Sequence, residues 1–210
     1  MLILIVAACV IFLAVCFAVI VTRAIYQRRK STVSVLAVMG SGGHTKEMLS
    51  LLSGLGPHYH PRYYVIANTD TMSQQKVEQF EKQRTSTEKN KSEYSIVLIP
   101  RSREVAQSWT SSVLSTLIAL WKSFPVVFKS NPDLILCNGP GTCVPICLAG
   151  LILKIARLGK PRIVYVESIC RVETLSLSAW MLYYLVDEML VQWPSLQNKF
   201  PRTRYIGKLV

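Results

Sequence analysis

The feature that most constrains this chain is its opening: Leu2 to Val21 is an unbroken apolar run. A bilayer core takes about 20 helical residues to cross, so the run reads as a retained anchor ending at Thr22. Two other readings stand beside it. A buried core helix is rarely apolar on every face over this length. A cleaved signal peptide carries a basic residue before its apolar stretch and a small-x-small site after it. Here no charge precedes the run, and it closes on Val19-Ile20-Val21-Thr22. Arg23, Arg28, Arg29 and Lys30 follow at once. By the positive-inside rule they keep the C-terminal side in the cytosol and leave the N-terminus lumenal or external. The expected organisation is an anchor with its basic flank over 1–30 and one domain over 31–210. That remainder, roughly 180 residues, suffices for one core and is short for two.

The 24 Lys and Arg outnumber the 12 Asp and Glu, for a net charge of +12. Solvated surface, anionic lipid, a phosphate-bearing substrate and nucleic acid are the readings of such a balance. An anchor favours lipid and phosphate, and no nucleic-acid motif is present. Of six cysteines, Cys9 and Cys16 lie in the apolar run. Cys137, Cys143, Cys147 and Cys170 form no C-x-x-C pair, and with three histidines in the chain they read as small buried thiols rather than metal ligands. No metal and no cofactor is expected.

After Lys30 apolar strand segments alternate with helical ones. Strands are predicted over Thr32–Met39, Tyr63–Ala67, Tyr94–Ile99, Asp133–Cys137, Arg162–Val166 and Glu188–Gln192, with a last one over Arg204–Leu209. Helices are predicted over His44–Leu52, Ser73–Arg84, Ser108–Phe128 (broken near Pro125), Thr142–Leu158 and Leu175–Val186, and Thr85–Glu93 as a charged loop. This βα alternation, with strands apolar throughout, predicts an α/β fold: one Rossmann-like doubly wound parallel sheet. The apolar helices around Trp109–Phe128 and Val144–Ile155 pack on the core or lie in the membrane interface with Trp109 and Trp121 at headgroup depth; neither spans.

Ligands of open parallel sheets bind beyond the carboxyl ends of the strands. The loop Gly40-Ser41-Gly42-Gly43-His44-Thr45 falls there. Glycines admit an anion close to backbone N–H groups, and the helix N-terminus adds partial positive charge. A diphosphate suits it; a tight structural turn is the plainer reading. It is neither a dinucleotide fingerprint nor a Walker loop. His44, at that helix start, takes a proton from a hydroxyl, donates to a phosphate, or merely packs. Asn138-Gly139-Pro140-Gly141-Thr142 is a second glycine turn, with Thr142 placed to cap, beside the first if the order is doubly wound. Glu167-Ser168, with Arg171 and Glu173, is a third segment: Glu167 as base or sugar ligand, Arg171 on phosphate, or the two neutralising each other. Arg101 and Arg103 are further basic candidates. There is no D-x-D and no G-x-S-x-G, which disfavours a metal-gripping sugar transferase and a nucleophile-elbow hydrolase.

Four strings then carry a resemblance: Gly40–Thr45, Ile99–Val105 (IPRSREV), Asn138–Pro145 (NGPGTCVP) and Tyr165–Thr174 (YVESICRVET). With the N-terminal run they closely resemble, over essentially the whole chain, the membrane subunit of the eukaryotic UDP-N-acetylglucosamine transferase of the dolichol pathway. The glycine loop is also similar to that of the bacterial peptidoglycan N-acetylglucosaminyltransferase, less its first glycine, where Met39 stands. The resemblance implies the acceptor-side, N-terminal half of a GT-B glycosyltransferase whose donor-binding, catalytic half is a separate soluble subunit. It implies addition of the second N-acetylglucosamine, in a β-(1,4) link, to dolichol-diphosphate-N-acetylglucosamine, from UDP-N-acetylglucosamine held mainly by the partner. It places the protein at the cytosolic face of the endoplasmic reticulum, with the nuclear envelope as a further address, and in contact with the first mannosyltransferase of the pathway.

On this reading Gly40, Ser41, Gly42, Gly43, Thr45, Asn138, Gly139 and Arg171 hold the acceptor diphosphate, and His44 and Glu167 are the catalytic candidates. The sequence leaves no room after Val210 for a nucleotide-binding domain, so the chain alone is expected to be inactive. Its apolar end, with Tyr205, Ile206, Leu209 and Val210, is expected to dock the partner, against the plainer reading of a final strand. A membrane scaffold with a purely structural glycine loop is the alternative function, and a membrane-bound nucleotide-dependent oxidoreductase a third.

Overall fold

The computed structural model describes residues 32–88, 93–100, 109–139 and 141–209, with the backbone alone over 109–117. The predicted anchor, its basic flank, Arg101, Arg103, Pro140 and Val210 lie outside the described residues.

The strands form where β-branched and apolar residues run together. They are β1 (Val35–Val38), β2 (Arg62–Ala67), β3 (Tyr94–Ile99), β4 (Leu134–Asn138), β5 (Arg162–Val166), β6 (Glu188–Val191) and β7 (Thr203–Tyr205). All pair in parallel, in the order β3-β2-β1-β4-β5-β6-β7. This is the doubly wound arrangement: the chain steps outward from β1 to β3, crosses back to β4 beside β1, and continues to the other edge. The helices are α1 (Gly43–Ser53), α2 (Thr71–Glu88), α3 (Trp109–Ser130), α4 (Cys143–Ile155), α5 (Leu177–Leu182) and α6 (Pro194–Lys199).

Side chains alternate across the sheet. Leu36, Val38, Ile135, Cys137, Ile163 and Tyr165 face a core shared with α3, α4 and α5. Val35, Ala37, Met39, Tyr64, Ile66 and Val166 face one built with Met48 and Leu52 of α1 and Val77 of α2. Central β1 is buried at all four positions. The edge strand β3 departs from the expectation of strands buried on both faces: Tyr94, Ser95 and Leu98 are exposed.

Several boundaries also differ. α2 continues to Glu88 through part of the predicted loop, carrying a Thr85 hydroxyl bonded back to the Glu81 carbonyl. α3 runs through Pro125 unbroken, although a proline there has no N–H to give the helix. α5 is half the predicted helix, started by Ser176, whose side chain accepts from the Ala179 N–H. Thr142, expected to cap α4, makes no side-chain cap bond. α6 was not expected; Pro194 at its first position pre-sets the helical φ. β7 is a short Thr203–Tyr205 instead of Arg204–Leu209. Cys137, Cys143 and Cys147 are buried, as expected, but Cys170 is exposed. Among the described residues no helix is long and apolar enough to cross a membrane. α3 and α4 bury Ala119, Val127, Ile146 and Leu153 and expose Ile118, Trp121 and Ile155.

Candidate functional site

Register sets the site. Val38 pairs with Cys137, and Asn138 with Val166. The carboxyl ends of β1, β4 and β5 therefore stop side by side, and the loops 40–43 and 167–176 rise with Gly139 at the switch point.

The first loop turns on Gly42, whose φ of 64° favours glycine. α1 begins with no side-chain cap and no acidic residue in its first turn. Its first N–H groups thus remain available to an anion. Ser41, Gly42 and Gly43 are exposed, and a Cβ at Gly42 or Gly43 would meet nothing within 4 Å. The front of the loop is open. Its rear is pinned: the Thr45 hydroxyl donates to the Gly40 carbonyl and lies 2.7 Å from Ser73 Oγ. Ser73 is held in turn by Asp70. Thr45 is fully buried, so its hydroxyl shapes the loop and does not face a ligand.

His44 is half-buried at the second position of α1. Its ring lies against Gly139, where φ is 76° and an added Cβ would stand 2.1 Å from His44 Cε1. Its Nδ1 is 3.0 Å from Asn138 Oδ1. Asn138, fully buried at the end of β4, donates from Nδ2 to Glu47 Oε2 at 2.7 Å and to the Val166 carbonyl at 3.3 Å. Glu47 Oε1 accepts from Ser168 Oγ and from the Ile169 N–H, each at 3.1 Å. One buried carboxylate thus ties α1, β4 and the β5 loop together.

Glu47 was not among the sequence candidates. The available signal was its position: it lies three residues after His44, on the buried arc of α1 with Thr45, Met48 and Leu52.

Glu167 is fully buried. Its oxygens accept from the Ser168 N–H at 3.0 Å and the Ser176 N–H at 2.7 Å. Burial pushes its carboxyl above the usual range, against the pull of those N–H donors and the Arg171 charge. With both oxygens used and no open face, Glu167 holds the loop that leads into α5. Arg171 is exposed on the same loop, and no ion pair joins the two among the described residues. Asn138, Gly139, His44 and the Gly40–Gly43 loop are brought together; Glu167 and Thr45 lie behind them.

The C-terminal tail lies elsewhere. The Leu209 N–H donates to Gln192 Oε1 at 2.9 Å, and its carbonyl accepts from Ser50 Oγ at 2.8 Å. Ile206 and Leu209 pack on the core beside α1, while Tyr205 is 42 % exposed. Of the four residues expected at a docking surface, Tyr205 alone points outward among the described residues.

Residues 35–209 match the family described as oligosaccharide biosynthesis protein Alg14-like. The chain is 51 % identical over 193 residues to the human UDP-N-acetylglucosamine transferase subunit ALG14, covering 91 % of this chain and 89 % of that protein. It is 41 % identical over 187 residues to the Yarrowia lipolytica subunit of the same name, covering 89 % and 85 %. In shape it is similar to the crystal structure of Acinetobacter baumannii MurG, with a TM-score of 0.58 at 15 % identity, over 83 % of this chain and 44 % of that one. That likeness is one of fold, the GT-B glycosyltransferase fold, and this chain spans less than half of the solved chain.

Proposed function

The chain belongs to the Alg14 family of oligosaccharide biosynthesis proteins, and from that premise we propose that it is the acceptor-side subunit of a two-chain UDP-N-acetylglucosamine transferase. A soluble partner binds UDP-N-acetylglucosamine. This chain presents dolichol-diphosphate-N-acetylglucosamine at the cytosolic face of the endoplasmic reticulum, held there by Leu2–Thr22. The names of its relatives, each a subunit of such a transferase, support the two-chain reading. The exposed apolar edge of α3 and α4 faces the bilayer, and Tyr205 lies on the side that meets the partner. The first mannosyltransferase, which uses the product, docks on the same assembly.

The observation that carries the reading is the open, uncapped start of α1 beside a histidine seated on glycine. The diphosphate accepts hydrogen bonds from the N–H groups of the Gly40–His44 segment, with Arg171 supplying charge from the neighbouring loop. The acceptor sugar's 4-hydroxyl reaches His44 Nε2. As that oxygen bonds to the donor's anomeric carbon, the bond to UDP breaks, the proton passes to Nε2, and the configuration inverts. Glu167 acts through the loop it holds.

The test is reconstitution of the full chain in dolichol-containing vesicles, with and without the donor-binding partner. Turnover is expected only from the pair. Turnover by this chain alone, or none from the assembled pair, overturns the reading.

A further inference from the structure

We propose that Glu47 is a positioning residue of this site: through Asn138 it fixes the His44 imidazole in the tautomer that leaves Nε2 free to take a proton. The proposal rests on the reading of His44 as the group that meets the acceptor hydroxyl, and it deepens that reading.

The argument is one of donors and acceptors. Asn138 offers an amide with one donating and one accepting end. Its Nδ2 lies 2.7 Å from Glu47 Oε2 and 3.3 Å from the Val166 carbonyl oxygen. Both neighbours accept. The opposite amide orientation would set Oδ1 against two oxygens among buried residues, leaving polar atoms unpaired. The orientation is therefore fixed, and Oδ1 faces His44 Nδ1 at 3.0 Å. An amide oxygen only accepts, so Nδ1 carries the hydrogen. In the neutral ring the lone pair then sits on Nε2.

Glu47 is itself held. Its other oxygen takes hydrogen bonds from Ser168 and from the Ile169 N–H, so the carboxylate cannot turn away from Asn138 without leaving both unpaired. Its side-chain bonds go to Asn138, Ser168 and Ile169, and it reaches His44 through Asn138. The order of groups is carboxylate, amide, imidazole, with the amide passing on an orientation as the aspartate of a Ser-His-Asp triad does directly.

Glu47→Gln separates this role from a merely structural one. The new side chain is nearly isosteric. Its oxygen is claimed by the Ile169 N–H and Ser168, so its NH2 faces Asn138. Asn138 then turns to accept from that NH2, giving up its longer 3.3 Å bond to the Val166 carbonyl, presents Nδ2 to His44, and forces the hydrogen onto Nε2.

Two measurements on the full-length complex decide the matter. The first is the 15N spectrum of its histidines at a pH of about 8.5, where an ordinary imidazole is neutral. The chain has only three histidines, and His44 is assigned by its absence in His44→Ala. Wild type is expected to show a protonated Nδ1 and an unprotonated Nε2 at His44, and Glu47→Gln the reverse. The second is kinetic: Glu47→Gln is expected to lower kcat about 100-fold or more, with KM for the lipid acceptor and partner assembly near wild type.

A wild-type His44 protonated at Nε2 overturns the proposal, and this spectrum decides even if the variant fails to assemble. So does a Glu47→Gln complex with wild-type tautomer and kcat. If instead His44→Ala leaves turnover unchanged, the reading of His44 as the base fails, whatever its tautomer.

Discussion

Two glutamates are buried at opposite ends of the sheet, and their surroundings differ. Glu81 of α2 lies near the start of β2, where it accepts from Arg62 Nε at 2.7 Å and Nη2 at 2.9 Å and from the Tyr64 hydroxyl. That cluster is a fork-on-carboxylate pair, with a cation directly on the carboxylate. Glu47 lies at the carboxyl ends of β4 and β5, and its partners there are an amide, a hydroxyl and a backbone N–H. No cation neutralises it among those partners. Equal burial thus hides unequal purpose. The first group joins a helix to a strand. The second sets the orientation of groups beside the exposed Ser41–Gly43 turn. What a buried charge is bonded to, more than how buried it is, separates scaffold from site.

Removing Glu81 gives the largest expected effect. Glu81→Ala leaves the Arg62 guanidinium buried without its carboxylate, and should cost about 3–5 kcal/mol of stability, read from denaturant unfolding of the full chain. The complex that still folds should keep its kcat. A variant of normal stability and lowered kcat would break the contrast.

Gly139→Ala probes the other end. Its Cβ would push into the His44 ring from 2.1 Å. A displacement of that order is expected to lower kcat about 100-fold, with the unfolding midpoint moved far less than by Glu81→Ala. A smaller effect is expected at the tail: Tyr205→Ala should weaken partner affinity by about 1–2 kcal/mol in a titration, without changing kcat at saturating partner.

The smallest effect concerns a third buried glutamate, Glu167, whose carboxyl burial raises from the ordinary 4.5. A carboxyl raised on folding contributes stability that is present below its unfolded value and lost as pH rises through its folded one. Wild type should therefore lose stability relative to Glu167→Gln as pH climbs from about 4.5 upward. A difference flat in pH would mean that the Ser168 and Ser176 N–H groups fully offset burial.

The sheet was legible because strands buried on both faces must be apolar runs. Arg162–Val166 falls where the sequence places it, and so does Tyr94–Ile99, whose β-branched and apolar residues mark it even at an exposed edge. Helix ends were less legible, since tertiary contacts set them: α2 outlasts Arg84, whose guanidinium clasps the carbonyls of Leu52, Leu55 and Gly56 at the end of α1. The glycine loops and His44 were visible through backbone chemistry, because φ above zero and a bare helix start leave a local mark. Glu47 left none. Its partners Asn138 and Ile169 stand 91 and 122 residues away, and only the sheet order brings them together. For the same reason Glu167 and Thr45 were expected to face a ligand, although the fold turns them inward.

The most direct test of the central claim, that the loops at the carboxyl ends of β1 and β4 work on the acceptor, is turnover of the purified complex carrying His44→Ala. With assembly intact, kcat is expected to fall by about 100-fold or more. Unchanged turnover in a fully assembled complex would contradict it and leave the glycine loop a structural turn.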